Sequence, residues 1–131
     1  MKMNVNIKPN QVVNGQVNRP TGNTIDILNL TPAVPDFEFT DVNGQCVCHI
    51  SLCSNRERLE LSGGTDENYR NRGYFTKAVG EVVNWLKNNT SECVVWAVTT
   101  NNTPSDKALA KNGFVKHPVD TMGTAWHERV L

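Results

Sequence analysis

Residues 59–79 read L-E-L-S-G-G-T-D-E-N-Y-R-N-R-G-Y-F-T-K-A-V, and their periodicity changes midway. Leu59 and Leu61 alternate with Glu60, which is strand spacing. From Gly73 onward Phe75, Ala78, Val79, Val82, Val83 and Leu86 recur at helical spacing, with Lys77, Glu81, Asn84 and Lys87 largely opposite. A strand, a turn carrying Arg70, Asn71 and Arg72, and an amphipathic helix together place several backbone N–H groups at a helix N-terminus. Those donors and the helix dipole favour an anion, most naturally a phosphate. Gly73 permits close approach without a Cβ, and Arg70 and Arg72 can pair bidentately with phosphate oxygens. The pair Gly63-Gly64 weakens a strand interior, so it marks a bulge or a place where something approaches the backbone closely. No G-K-[ST] follows, which excludes a Walker-type loop, and the three-glycine dinucleotide fingerprint is missing.

Upstream, D-F-E-F-T-D-V-N-G-Q-C-V-C-H-I-S-L-C sets β-formers on both sides of Asn43-Gly44, predicting a hairpin with strands near 37–42 and 45–53. Residues 1–35 are rich in Asn, Pro and Gly and read as one strand near 3–7, then loops with at most a short helix near 25–30. Downstream, C-V-V-W-A-V-T-T is a buried-type strand. In T-P-S-D-K-A-L-A-K-N-G-F, Thr103 suits an N-cap, Pro104 the first helical position, Asp106 the first turn and Gly113 the helix end. Two strands around a loop at 120–123 complete a mixed α/β (α+β) order, β, ββ, β, α, β, α, ββ.

The 131 residues fit one domain, and 38% hydrophobic with 20% charged residues suits a packed globule. Lys plus Arg equals Asp plus Glu at 13 each, so no global field gathers nucleic acid or an anionic membrane, and any anion site is local. No segment has the length of a signal peptide's apolar core or a membrane span, which makes the cytoplasm the expected compartment. Reduced thiols are then expected for Cys46, Cys48, Cys53 and Cys93. C-x-C-H on a strand lacks a second ligand pair at zinc-site spacing, so no metal is expected. His49, His117 and His127 form no motif and read as structural or surface residues, with His127 beside Glu128 a fallback base. Trp85 and Trp96 read as core, Trp126 as lining the sheet end.

The run 59–79 resembles the central motif of the GNAT superfamily of acyl-CoA-dependent N-acyltransferases, [QR]-x-x-G-x-[GA] followed by a helix. Arg70 and Gly73 match, and Phe75 departs at the last position. N-N-T-P-S-D-K-A-L-A-K-N-G-F resembles the family's later motif, with Asn102, Ser105, Gly113 and Phe114 on matching positions. The resemblance covers 37–131. It implies a mostly antiparallel sheet whose two central strands splay apart around acetyl-CoA. The pyrophosphate would lie on the amides of Arg70, Asn71, Arg72, Gly73, Tyr74 and Phe75, the pantetheine arm along Ser62, Gly63, Gly64 and Thr65, and the thioester near Asn102.

Many family members protonate the departing thiolate with a Tyr where this chain has Leu109, so Ser105, another residue or a water would substitute. Glu60, on the strand before the loop, is the candidate base. The N-terminal region is too short for the two helices that shape the family's acceptor pocket, leaving that side open or completed by a second subunit. Two functions remain: acetyl transfer to an amine, or a catalytically silent GNAT-like binding or structural protein, such as an accessory of a virus or mobile element.

Overall fold

A computed structural model describes residues 3–8, 11–13, 16–18, 24–26, 36–55, 58–100 and 103–131. The hairpin forms as β5 (Asp36–Thr40) and β6 (Cys46–Asn55). Its loop is five residues long rather than a two-residue Asn-Gly turn, because Asp41 organises it. The Asp41 carboxylate accepts from the backbone N–H of Asn43 (2.8 Å) and Gln45 (3.0 Å), and Gly44 takes φ +81°. A register shift at Phe39/Thr40 absorbs the extra residue.

The main sheet also contains β1 (Asn4–Lys8), β7 (Arg58–Thr65), β8 (Val94–Thr100), β9 (Val115–Lys116) and β10 (Thr124–Val130), in the order β1-β5-β6-β7-β8-β10-β9. Every pairing is antiparallel except β7 with β8. The N-terminal strand and the closing pair match the sequence reading. Residues 11–26 do not. In place of loops they hold β2 (Gln11–Val13), β3 (Gln16–Asn18) and β4 (Thr24–Asp26), paired in a separate three-stranded sheet. Strands of three residues are too short for alternation to register in sequence. Most of the expected short helix near 25–30 lies outside the described residues.

Two helices follow the glycine-rich strand and β8: α1 (Tyr74–Asn89) and α2 (Pro104–Lys111). α1 buries Ala78, Val79, Val82, Val83 and Leu86, the stripe its spacing predicts. These pack with Leu59 and Leu61 of β7, Ile50 and Leu52 of β6, Val95 and Ala97 of β8, and Phe37 and Phe39 of β5 in one core. Trp85 closes it edge-on against Phe37, ring centroids 5.4 Å apart. Strand alternation then turns Arg58, Glu60, Trp96 and Trp126 to the opposite face. Trp96 is therefore a half-buried residue of that face and not a core residue.

α2 ends in a Schellman arrangement: Phe114 N–H donates to the Leu109 carbonyl (3.1 Å), Gly113 N–H to Ala110 (3.1 Å), and Gly113 takes φ +82°. Leu109 and Phe114 are both buried, making the apolar contact that accompanies this cap. At the other end Thr103 occupies the N-cap position but makes no capping bond, and its hydroxyl is buried without a partner among the described residues. Asn112 ties the two helices, its amide donating to the carbonyls of Thr76 (2.9 Å) and Ala108 (2.8 Å). Among the described residues no helix is long and apolar enough to cross a membrane.

The glycine pair has two explanations, not one. A Cβ on Gly63 would collide with the His49 carbonyl oxygen of β6, whereas one on Gly64 would meet nothing within 4 Å. The close approach at Gly63 is thus made by the neighbouring strand. Gly63→Ala is expected to destabilise the protein by about 1–3 kcal/mol through forced backbone shifts, and Gly64→Ala by less than about 0.5 kcal/mol, as read by urea unfolding.

Candidate functional site

The parallel pairing of β7 with β8 consists of Glu60↔Trp96 and Leu61↔Ala97. Beyond it the strands continue, β7 bonded to β6 through Ser62, Gly63, Gly64 and Thr65, and β8 bonded to β10 through Val98, Thr99 and Thr100. The centre of the sheet therefore opens beside Gly63-Gly64. Among the described residues, backbone polar groups along the inner edges of the opening have no ladder partner, and an extended ligand can supply one.

The connection from β7 to α1 is built locally. Asp66 caps a single 3-10 turn at Glu67–Tyr69 by accepting from Asn68 N–H at 3.1 Å. Tyr69 hydroxyl reaches the Asp41 carboxylate at 3.2 Å, and its ring meets Tyr74 edge-on at 5.8 Å. Desolvation, the largest influence, would raise the Asp41 pKa, but the Gln45 and Asn43 amides and then the Tyr69 hydrogen bond hold the carboxyl below the usual carboxylate range. Asn71 (φ +62°) and Gly73 (φ +81°) are both left-handed, which suits Asn and Gly and turns the chain sharply into α1. The first intrahelical bond is Lys77 N–H to Gly73, so the N–H groups of Tyr74, Phe75 and Thr76 at the helix start are free of intrahelical partners.

A cleft of about 520 Å³ lies between the starts of the two helices, lined by Gly64, Thr65, Arg70, Asn71, Gly73, Tyr74, Phe75 and Ser105 of the residues singled out in the sequence. Arg70 Nε donates to the Thr65 carbonyl at 3.2 Å, holding this guanidinium at the cleft. Arg72 is not in the lining. It packs over the Tyr69 ring, Cζ 5.7 Å from the centroid. Ser62 and Gly63 lie on β7 outside the lining, Glu60 stands on the opposite face, and Asn102 lies outside the described residues. The sequence reading missed Lys107 and Lys111, which also line the cleft. Their i, i+4 spacing on α2 was the available signal, but nothing local told which way that face turns. Three cations and a helix N-terminus suit the cleft to a polyanion.

A second hollow of about 580 Å³, lined by Asn71, Thr103, Pro104, Asp106, Lys107, Phe114, Lys116 and His127 among others, lies along the other side of α2. Its floor is a polar network. His127, 1% exposed, sets Nε2 2.9 Å from Thr99 Oγ1 and 3.3 Å from Asp106 Oδ1, while Asp106 Oδ2 pairs with Lys116 Nζ at 3.1 Å. Burial lowers the His127 pKa. Asp106 alone would raise it, but Lys116 faces the same carboxylate and opposes protonation. His127 is thus engaged with Asp106 and not with Glu128, which instead stands 3.5 Å from His117. Cys48 and Cys93 are free thiols, and burial pushes Cys48 up to about 11.

The family model for the acetyltransferase (GNAT) domain matches residues 34–115, and the chain belongs to that family. Among solved structures, the ribosomal-protein-S5-alanine acetyltransferase from Vibrio fischeri superposes with a TM-score of 0.61 at 20% identity, over 73% of this chain and 61% of that one. A GNAT-family acetyltransferase from Bacillus anthracis gives 0.64 at 16%, over 72% and 65%. Spermidine N-acetyltransferase from Vibrio cholerae, solved with CoA and spermine, gives 0.63 at 9%, over 73% and 64%. These likenesses carry the fold, and the chain spans less than two thirds of each of these structures. No curated protein sequence matches the chain.

Because the unfolded His127 takes up its proton near pH 6.5 and the folded one only below that, its contribution to stability is complete above pH 6.5 and is lost as pH falls through 6.5 towards the depressed folded value. Thermal unfolding at two pH values checks this: wild type is expected to lose melting temperature between pH 7.5 and 5.5, and His127→Gln to lose less.

Proposed function

We propose that the protein is an N-acetyltransferase that takes its acetyl group from acetyl-CoA and passes it to an amine. The observation that carries this is the opening between β7 and β8, which leads to a cationic cleft at the N-terminus of α1. Acetyl-CoA supplies a thioester-activated acetyl group, whose transfer to an amine forms an amide and releases the thiol. The amides of Gly73, Tyr74 and Phe75, with Arg70, Asn71, Lys107 and Lys111, hold the diphosphate. Ser62, Gly63, Gly64 and Thr65 offer the backbone edge for the amide-bearing arm, and Asn102 marks the start of the segment into α2. Arg72 acts indirectly, by packing on Tyr69 and bracing the turn.

Glu60 is the proposed base. It stands one ladder pair before β7 and β8 separate, on the face opposite the cleft, and would take the proton that an ammonium must lose before it can attack. Ser105 keeps a hydroxyl in the cleft lining at the start of α2 and is the proposed donor to the departing sulfur. Leu109 cannot be that donor, being aliphatic, 1% exposed and part of the helix cap. That same observation favours a second reading, a GNAT fold that binds CoA without turnover. Thiol release across a panel of amines separates the two, since binding with no turnover on any acceptor selects the silent form.

Calorimetry with CoA tests the site itself. Arg70→Ala is expected to weaken CoA binding by about 2 kcal/mol through lost charge-assisted bonds, and Arg72→Ala by much less. Equal affinity for wild type and Arg70→Ala would remove the cleft from the account.

A further inference from the structure

Arg58 opens β7 two residues before Glu60, so the two side chains leave the strand on the same face, about 7 Å apart at their origins. The Arg58 guanidinium reaches across β8 to β10. Its Cζ lies 4.2 Å from the centroid of Trp96 and 5.2 Å from that of Trp126, and the two indoles meet edge-to-face at 6.3 Å. Stacking of this kind fixes the guanidinium while leaving its in-plane N–H donors available. Among the described residues those donors meet no hydrogen-bond acceptor and no carboxylate. The nearby Glu128, directly across from Trp96 in the ladder, has its carboxylate 3.5 Å from His117 Nε2 instead.

An exposed arginine ordinarily keeps several rotamers open. Here two indoles have already removed most of that freedom, so an oxyanion binding to it incurs little further ordering cost and can be held through two parallel hydrogen bonds. The position is specific as well. Trp96 is paired with Glu60, one ladder step before β7 and β8 separate, so the cluster sits at the closed end of the opening, on the face away from the cationic cleft.

We propose that Arg58, held by Trp96 and Trp126, binds the carboxylate of the acceptor, and that the acceptor is a small zwitterionic amine of the amino-acid class. This rests on the reading of β7 and β8 as the acyl-donor opening, which leaves the opposite face to the amine. Glu60 and Arg58 then present opposite charges to the two ends of one molecule. A purely cationic amine meets Arg58 as a like charge, which selects against polyamines.

The test is binding, read by tryptophan fluorescence and calorimetry with and without CoA, so it does not depend on turnover. The probes are the L-amino acids and, for each that binds, the amine with the same side chain and no carboxylate. At least one amino acid is expected to bind, its decarboxylated partner at least about tenfold more weakly. Arg58→Ala is expected to abolish that preference and Arg58→Lys to restore part of it, with far-ultraviolet circular dichroism confirming that both variants fold. Absence of amino-acid binding, equal binding of the decarboxylated amines, or an unchanged preference in Arg58→Ala would each overturn the proposal. Failure of CoA to bind would instead overturn the acyl-donor reading, and the amino-acid series would still report on Arg58.

Discussion

The structure depends on the separation of β7 and β8 after two ladder pairs. In the middle of a seven-stranded sheet, backbone groups that would ordinarily bond across the gap meet no strand among the described residues. The cost is bearable because each strand keeps a full antiparallel neighbour on its other side, β6 for β7 and β10 for β8. The core beneath holds the sheet together: α1 bridges β6 and β7, and Val95, Ala97 and Leu109 carry the apolar contact across to the second half.

Function follows from what the gap connects. On the helix side it meets the turn through Asn71 and Gly73, whose left-handed residues aim the N-terminus of α1 at a cleft lined by Arg70, Lys107 and Lys111. On the other side it meets Glu60, Arg58 and two tryptophans. On the proposed reading, donor and acceptor chemistry fall on opposite faces of one sheet, with the strand that carries the glycine pair serving both. Leu109 belongs to neither. It is the apolar half of the helix cap with Phe114, which explains why an aliphatic residue stands there.

Much of the fold was legible because it is written in local periodicity. The stripe of α1, the hairpin around Asn43-Gly44, the Pro104 start and Gly113 end of α2, and the motif spacing shared with the acetyltransferases all come from neighbours in sequence. What escaped was set by distant neighbours. Gly63 answers to the His49 carbonyl of another strand, and His127 to Thr99 and Asp106. Arg70 and Arg72 looked equivalent, yet only Arg70 lines the cleft, because Tyr69 draws Arg72 away. The short strands at 11–26 carry too few residues for any period to show.

The central claim is that the β7–β8 opening and the N-terminus of α1 form one continuous site for acyl-CoA. Amide hydrogen exchange followed by NMR, with and without CoA, addresses it residue by residue. The account predicts that CoA slows exchange at Gly73, Tyr74 and Phe75 and along Ser62, Gly63, Gly64 and Thr65 together. Bound CoA that leaves both groups of amides unchanged, or protects only residues on the face of Trp96 and Trp126, would contradict it.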